Sequence, residues 1–267
     1  VTPLAYTKYP KDKKDVLAIL TTFGSTTFFG IPIVGAVFGP KGIMYSSIFN
    51  IGYRIFLYSY AYIKMSGLKM EAKNIKEMFL NPIVIATFAG LILWLIQDWT
   101  PMVTVQQALN GAVVPDGGTV SVAFFRIDQT ALWLFKPLQY LGNLASPLAW
   151  LSIGATLGSI SFKDAAKDKT SWYYGINKVV LIPLLNLVLL TILTVTNILP
   201  VSYVALATVV IMMSTPTATV AAAYAISFDR DALLASNASL ISTVLAVVAT
   251  PIWITILEII KHMGLFS

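Results

Sequence analysis

Apolar residues gather into seven stretches, over 16–38, 43–63, 79–97, 137–160, 172–196, 203–227 and 232–257. A bilayer core of about 30 Å takes ~20 helical residues to cross, and each stretch is of that order. Polar, basic segments separate them. Amphipathic patterning at a period of 3.6 is weak inside the stretches, as expected of helices apolar on most of their sides. The pattern predicts an all-α polytopic membrane protein with seven spans.

Composition strengthens this reading. Hydrophobic residues make up 57% of the 267 positions and charged residues 11%, against about 45–50% and about 25% in soluble domains. Mean hydropathy is +0.78. These values exclude an ordinary soluble enzyme, a nucleic-acid module and a disordered chain. The net charge of +6 fits loops facing anionic lipid, not a nucleic-acid partner. There is no cysteine and a single histidine, His262. Disulfides and thiolate metal sites are therefore excluded, no cofactor is expected, and a histidine-based catalytic site is not expected.

Lysine and arginine fix an orientation. Lys8, Lys11, Lys13 and Lys14, the loop with Lys64, Lys69, Lys73 and Lys76, the segment with Lys163, Lys167, Lys169 and Lys178, and Arg230 place thirteen on one side. Lys41, Arg126, Lys136 and Lys261 place four on the other. The positive-inside rule puts residue 1 in the cytoplasm and Ser267 outside a cell membrane. Trp94, Trp99, Trp133 and Trp172 fall near the expected interfaces. The longest connection, the outer-side loop 98–136, carries a turn-rich stretch at Gly111–Thr119 and is expected to form a surface helix over 120–135.

Two spans are unusual. The first holds Gly24-Ser25-Thr26-Thr27-Phe28-Phe29-Gly30-Ile31-Pro32, the sixth Ser214-Thr215-Pro216-Thr217-Ala218-Thr219. Slid onto each other, Ser25 falls on Ser214, Thr26 on Thr215 and Ser47 on Ser236. The spans are five helices apart and so cross in opposite directions, which predicts an inverted repeat with two broken helices. Such paired interruptions point to a secondary-transporter binding site. A broken helix leaves free N–H groups at the start of its second half, where Pro32 and Pro216 would be tolerated. Two such starts carry partial positive charge and would attract a carboxylate, coordinated by Ser25, Thr26, Ser214, Thr215 and Thr217. The competing reading is that these residues only satisfy kinked helices.

Arg54 lies deep in the second span, with Asn50 one turn before it on the same face. An intramembrane arginine costs at least ~2.5 kcal/mol, so it reads either as a counter-charge for an anion or as a structural tie to carbonyls. No Asp or Glu falls within the seven stretches, which favours an anion as cargo over a cation. Lys178, about six residues into its span, is expected to snorkel to the interface. Most other intramembrane polar residues, Ser242 among them, are expected to be packing contacts. Asp229-Arg230-Asp231 reads as a capping turn.

Three segments resemble the auxin efflux carrier family of membrane transport proteins, which includes bacterial malate-permease-like members. They are Gly24–Pro32 with Phe38-Gly39 and the following span; Gly142-Asn143 with Pro147 and Gly154-Ala155-Thr156-Leu157-Gly158; and Ser214–Thr219 through Asp231 to Thr243 and Pro251-Ile252-Trp253. One departure is Ser25, where the family's usual residue is Asn. The resemblance implies ten helices in two inverted five-helix repeats, a sodium/proton-antiporter-like fold. Residues 1–66 would then be the last two helices of the first repeat and 67–267 the second repeat, with three N-terminal helices absent. It also implies a substrate cavity near Pro32 and Pro216.

The resulting expectation is a secondary active carrier, not an enzyme, moving small organic anions such as malate by alternating access. Its substrate-binding residues would be Ser25, Thr26, Pro32, Asn50, Arg54, Ser214, Thr215, Pro216 and Thr217. Its partners are the lipid bilayer and the anion. Proton or sodium coupling and a homodimer stay open, as do two other readings: a non-transporting membrane receptor and a sodium-coupled organic-anion symporter.

Overall fold

The computed structural model describes residues 2–67, 80, 82–109, 111–158, 161–263 and 266. Lys69, Lys73 and Lys76 lie outside the described residues, as do residues 79 and 81 of the third expected span and 159–160 of the fourth. The chain divides into two units, one of Val1–Phe79 with Ile153–Ser267 and one of Leu80–Ser152.

In the first unit, α1 (Thr2–Ala5) and α2 (Lys11–Thr22) precede a non-helical break at Phe23–Ser25. A π-helical turn over Thr26–Gly30 restarts the helix and runs into α3 (Ile31–Phe56). A second π turn, Leu57–Ala61, leads to α4 (Tyr62–Ser66). Gly39, at φ 59 and ψ −147, breaks α3 into two helices. No atom would obstruct a side chain at Gly39, so the positive φ is what requires glycine there. Pro40 follows, where a helix can start without an N–H. The first two expected spans are thus separated as the sequence pattern has it.

The second unit contains α5 (Pro82–Ile96), a two-strand ladder and most of a long helix. Strand β1 (Met102–Gln106) pairs antiparallel with β4 (Thr119–Ala123), and the short β2 (Ala108–Leu109) pairs with β3 (Ala112–Val113). Helix α6 (Ile127–Thr130) is one turn long, and α7 (Leu132–Gly158) follows. The expected surface helix over 120–135 is therefore corrected. Alternating Val and Thr/Ser in Thr119–Ala123 favours a strand, and the Arg126–Asp128 ion pair closes the turn that follows it.

The rest of the first unit is α8 (Phe162–Lys167), α9 (Lys169–Ile176), a third π turn at Asn177–Leu181, α10 (Ile182–Val195), α11 (Tyr203–Met213), α12 (Thr219–Ser227) and α13 (Ala232–His262). Asp168 caps α9 through Thr170, and Ser202 caps α11 through Ala205. Helix α13 runs past residue 257, so Glu258 lies on it, paired with Lys261. The glutamate lies just past the apolar stretch 232–257, in the exposed C-terminal turns.

Three described helical stretches, Thr26–Ser66, Lys169–Val195 and Ala232–His262, are long and apolar enough to cross a membrane. The shorter apolar helices include Tyr203–Met213, shortened because the break at Ser214–Ala218 divides the sixth expected span. Helix α10 exposes Leu184, Leu185, Val188, Leu189 and Ile192 along one face. A contiguous apolar stripe of that length suits lipid contact. The opposite faces of α11 and α13 pack Leu206, Val210, Ile211, Trp253 and Leu257 into one core. A second core of α2, α12 and α13 residues, including Leu17, Leu20, Ala221 and Ala238, encloses the break in the first span.

Candidate functional site

The two breaks cross. Gly24 and Thr217 form an isolated antiparallel bridge. Ser25 N–H donates to the Pro216 carbonyl at 2.7 Å, and Ala218 N–H donates to the Phe23 carbonyl at 3.0 Å. Each unwound segment therefore satisfies backbone groups that its own helix cannot. Gly24 permits the close approach. A Cβ on it would sit 2.3 Å from Thr215 Oγ1 and 2.9 Å from Lys178 Nζ.

The four helix ends around the crossing are treated differently. At the C-terminal end of α11, Ser214 and Thr215 hydroxyls donate to their own helix, to the carbonyls of Ile211 and Met212. At the C-terminal end of α2, two side chains one turn apart take the last carbonyls: Tyr174 Oη donates to Leu20 at 3.0 Å and Lys178 Nζ to Thr21 at 2.8 Å. Lys178 is fully buried. This corrects the expectation of snorkelling: the side chain turns toward the half-helix end, where a cation is favoured, and not toward an interface. Lys178 lies in the π turn Asn177–Leu181, whose Val179 carbonyl accepts from Trp253 Nε1 at 2.8 Å. Such π turns concentrate at functional sites.

The two N-terminal ends carry no side-chain cap. Neither Ser25, before the Thr26–Gly30 turn, nor Ala218, before α12, supplies one. Both ends open on one cavity of about 40 Å³, room for a few waters or one carboxylate group. It is lined by Gly24, Ser25, Thr26, Thr27 and Phe28 from the first break, Ala218, Thr219 and Val220 from the second, and Tyr53, Arg54, Leu57 and Tyr58 from the end of α3 and the π turn after it. Ser25 is 6% exposed, and its Oγ has no hydrogen-bond partner among the described residues. Arg54 is half-buried on the cavity wall. The Tyr53 hydroxyl donates to the Gly24 carbonyl, which ties α3 to the crossing.

Of the residues singled out from sequence, Ser25, Thr26 and Arg54 line the cavity. Asn50 stands behind it, its Oδ1 accepting from Thr26 Oγ1 at 2.8 Å while its amide donates to Ser46. Pro216 and Thr217 are in the crossing itself. Thr217 Oγ1 contacts Tyr174 Oη at 2.5 Å and Ser242 Oγ at 2.9 Å. Ser214 and Thr215 face their own helix end and are buried. Pro32 is exposed in the first turn of α3, beyond the π turn and away from the lining. The position matching Thr26 as first residue of a second half is Thr219, not Thr215.

Sequence reasoning did not place Lys178, Tyr174 or Tyr53 at the site, whereas Ser242, expected as a packing contact, bonds Thr217 from α13. Lys178 and Tyr174 carried a usable signal, being one turn apart on a single helix face with a charge inside an apolar run. Tyr53 adjoins Arg54 but carried no pattern of its own.

No curated protein and no solved structure matches the chain. A family model described as membrane transport protein matches residues 3–254. By that match, the chain whose two unwound segments cross beside the cavity belongs to the membrane transport protein family, that of the auxin efflux carriers.

Proposed function

We propose that this chain is a secondary active carrier for small organic anions, malate and related carboxylates, working by alternating access across the cell membrane with residue 1 on the cytoplasmic side. In this reading the crossing belongs to an inverted-repeat, sodium/proton-antiporter-like fold, and the carboxylate sits in the cavity at the two helix starts. One observation carries it. Two uncapped helix N-termini, Arg54 and the unpartnered Ser25 hydroxyl line the same cavity. Helix starts hold anions through their free N–H groups and the local dipole, and a buried hydroxyl without a partner is a vacant donor. Arginine adds a planar, permanently charged donor suited to carboxylates.

The test is uptake of radiolabelled malate and other dicarboxylates by proteoliposomes. Wild type should show saturable uptake, and Arg54→Ala should abolish dicarboxylate uptake at unchanged expression. Unchanged uptake in Arg54→Ala removes Arg54 from the site. Binding without flux would favour a membrane receptor on the same fold.

A further inference from the structure

Anion carriage through a low-dielectric core raises a question of charge that the cavity does not answer alone. Lys178 lies outside the cavity wall, yet its Nζ sits beside Gly24, which is part of that wall. It is fully buried and donates to the carbonyl of Thr21 in the last turn of α2. Among the described residues it forms no ion pair with a carboxylate; the acidic side chains of α2, Asp12 and Asp15, are paired with Arg230 and Lys64. The other titratable groups at the crossing are Tyr174, bound to Leu20 and Thr217, and Tyr53, bound to Gly24. Both are hydroxyls acting as donors to carbonyls. From α13, which also packs on the Lys178 turn, the charged groups are Glu258, Lys261 and His262, all in its last turns and engaged with one another.

Carbonyls at the C-terminal end of an interrupted helix are the groups that coordinate a coupling cation in broken-helix transporters. Here that end is filled by a covalently attached amine. We infer that the Lys178 amine occupies the position a coupling sodium ion would take, so that anion uptake needs no sodium. The inference takes its cargo from the carboxylate reading above; the cation position itself does not depend on that reading. It separates the carrier from a sodium-coupled symporter of similar architecture.

Two physical features support the assignment. Removing the side chain beyond Cβ would leave a void the size of propylamine against Gly24, Thr21 and Thr215. The π turn that holds Lys178 is locked by Trp253 through the Val179 carbonyl, so the amine is held in place by the fold and not by its own reach.

The experiment uses the purified full chain in detergent and in proteoliposomes. Melting temperature is measured in sodium chloride against N-methylglucamine chloride at equal ionic strength, for wild type, Lys178→Ala and Lys178→Gln. Wild type should be indifferent to sodium. Lys178→Ala should be less stable and regain stability saturably with n-propylammonium but not with tetramethylammonium, which is too bulky for the void. Wild-type malate uptake should be equal in the two salts. Uptake by Lys178→Ala should drop about tenfold or more, as when a buried hydrogen-bonded charge is lost, and recover with n-propylammonium. Saturable stabilisation of wild type by sodium overturns the proposal. So does normal malate uptake by Lys178→Gln, or, where Lys178→Ala folds, its failure to respond to n-propylammonium. Should wild type carry no anion under any salt, the carboxylate reading fails, and the melting curves still decide the cation position.

Discussion

Ser25→Ala should move stability and anion affinity in opposite directions. Ser25 is 6% exposed, and its hydroxyl lacks a partner among the described residues. A buried polar group left unsatisfied costs about 1–3 kcal/mol. Alanine removes that cost together with one atom, and the open cavity beside it can absorb the small loss of packing. The empty protein should therefore gain up to about 1 kcal/mol. The anion loses a charge-assisted hydrogen bond worth about 1.5–3 kcal/mol, so its dissociation constant should rise roughly 10- to 150-fold. Thermal melting of the detergent-purified chain without ligand reads the first effect. Isothermal titration with malate, or the shift of melting temperature along a malate series, reads the second. A variant that melts earlier and binds malate as wild type does would mean that the hydroxyl is a structural element of the break, and the anion argument would lose its most specific support.

Gly24→Ala should destabilise the chain by about 1–3 kcal/mol, the usual cost of overpacking, because its Cβ would meet Thr215 Oγ1 at 2.3 Å. Pairing it with Thr215→Ala should recover part of that loss, the 2.9 Å approach to Lys178 Nζ remaining, and a double variant that melts no higher than Gly24→Ala alone would show that the Thr215 clash is not the cause. In the loop 98–136, hydrogen bonds from Arg126 hold the Asp128 carboxyl below its ordinary value of 3.8, against the opposing effect of partial burial. A depressed folded value means the contribution is present above 3.8 and lost as pH falls through the lowered value. Exchange protection of the Ala108 amide, which Gln129 next to Asp128 accepts from, should hold at mildly acidic pH in wild type and be weaker in Asp128→Asn; equal protection in both would refute the link.

The long-range part of this architecture was legible because it is written in coarse signals. Apolar runs mark the helices, and small, hydroxylated and proline residues mark the two breaks. The exact place of each break was not legible. Pro32 looks like the natural restart of the first broken helix, yet the chain restarts at Thr26 through a π turn. The reason is tertiary: the Ser25 N–H is taken by Pro216 and the Phe23 carbonyl by Ala218, so the opposite segment chooses which residues unwind. The same applies to Lys178. Position along a span argues for snorkelling, whereas the end of the neighbouring α2 offers a carbonyl within hydrogen-bond reach. The strand pairing of Thr119–Ala123 with Met102–Gln106 was missed because its partner lies across a turn-rich segment.

The crossing also explains why one small region can serve both signs of charge. Each unwound segment separates a helix that ends from a helix that begins, so a negative and a positive dipole end lie a few residues apart. In the second segment both carbonyls of the ending helix are met by neutral hydroxyls of Ser214 and Thr215. In the first they are met by the Tyr174 hydroxyl and the Lys178 amine. The beginnings of both helices are left open toward the cavity. With Lys178 protonated, as the proposal has it, the bias at the crossing is positive, and Arg54 on the wall adds to it. A bias of this kind would repel a free cation and hold an anion. On the proposed reading, the carrier's selectivity lies in how the four helix ends are capped, and exchanging the caps at Thr21 and Ser214–Thr215 should alter it more than resizing the cavity.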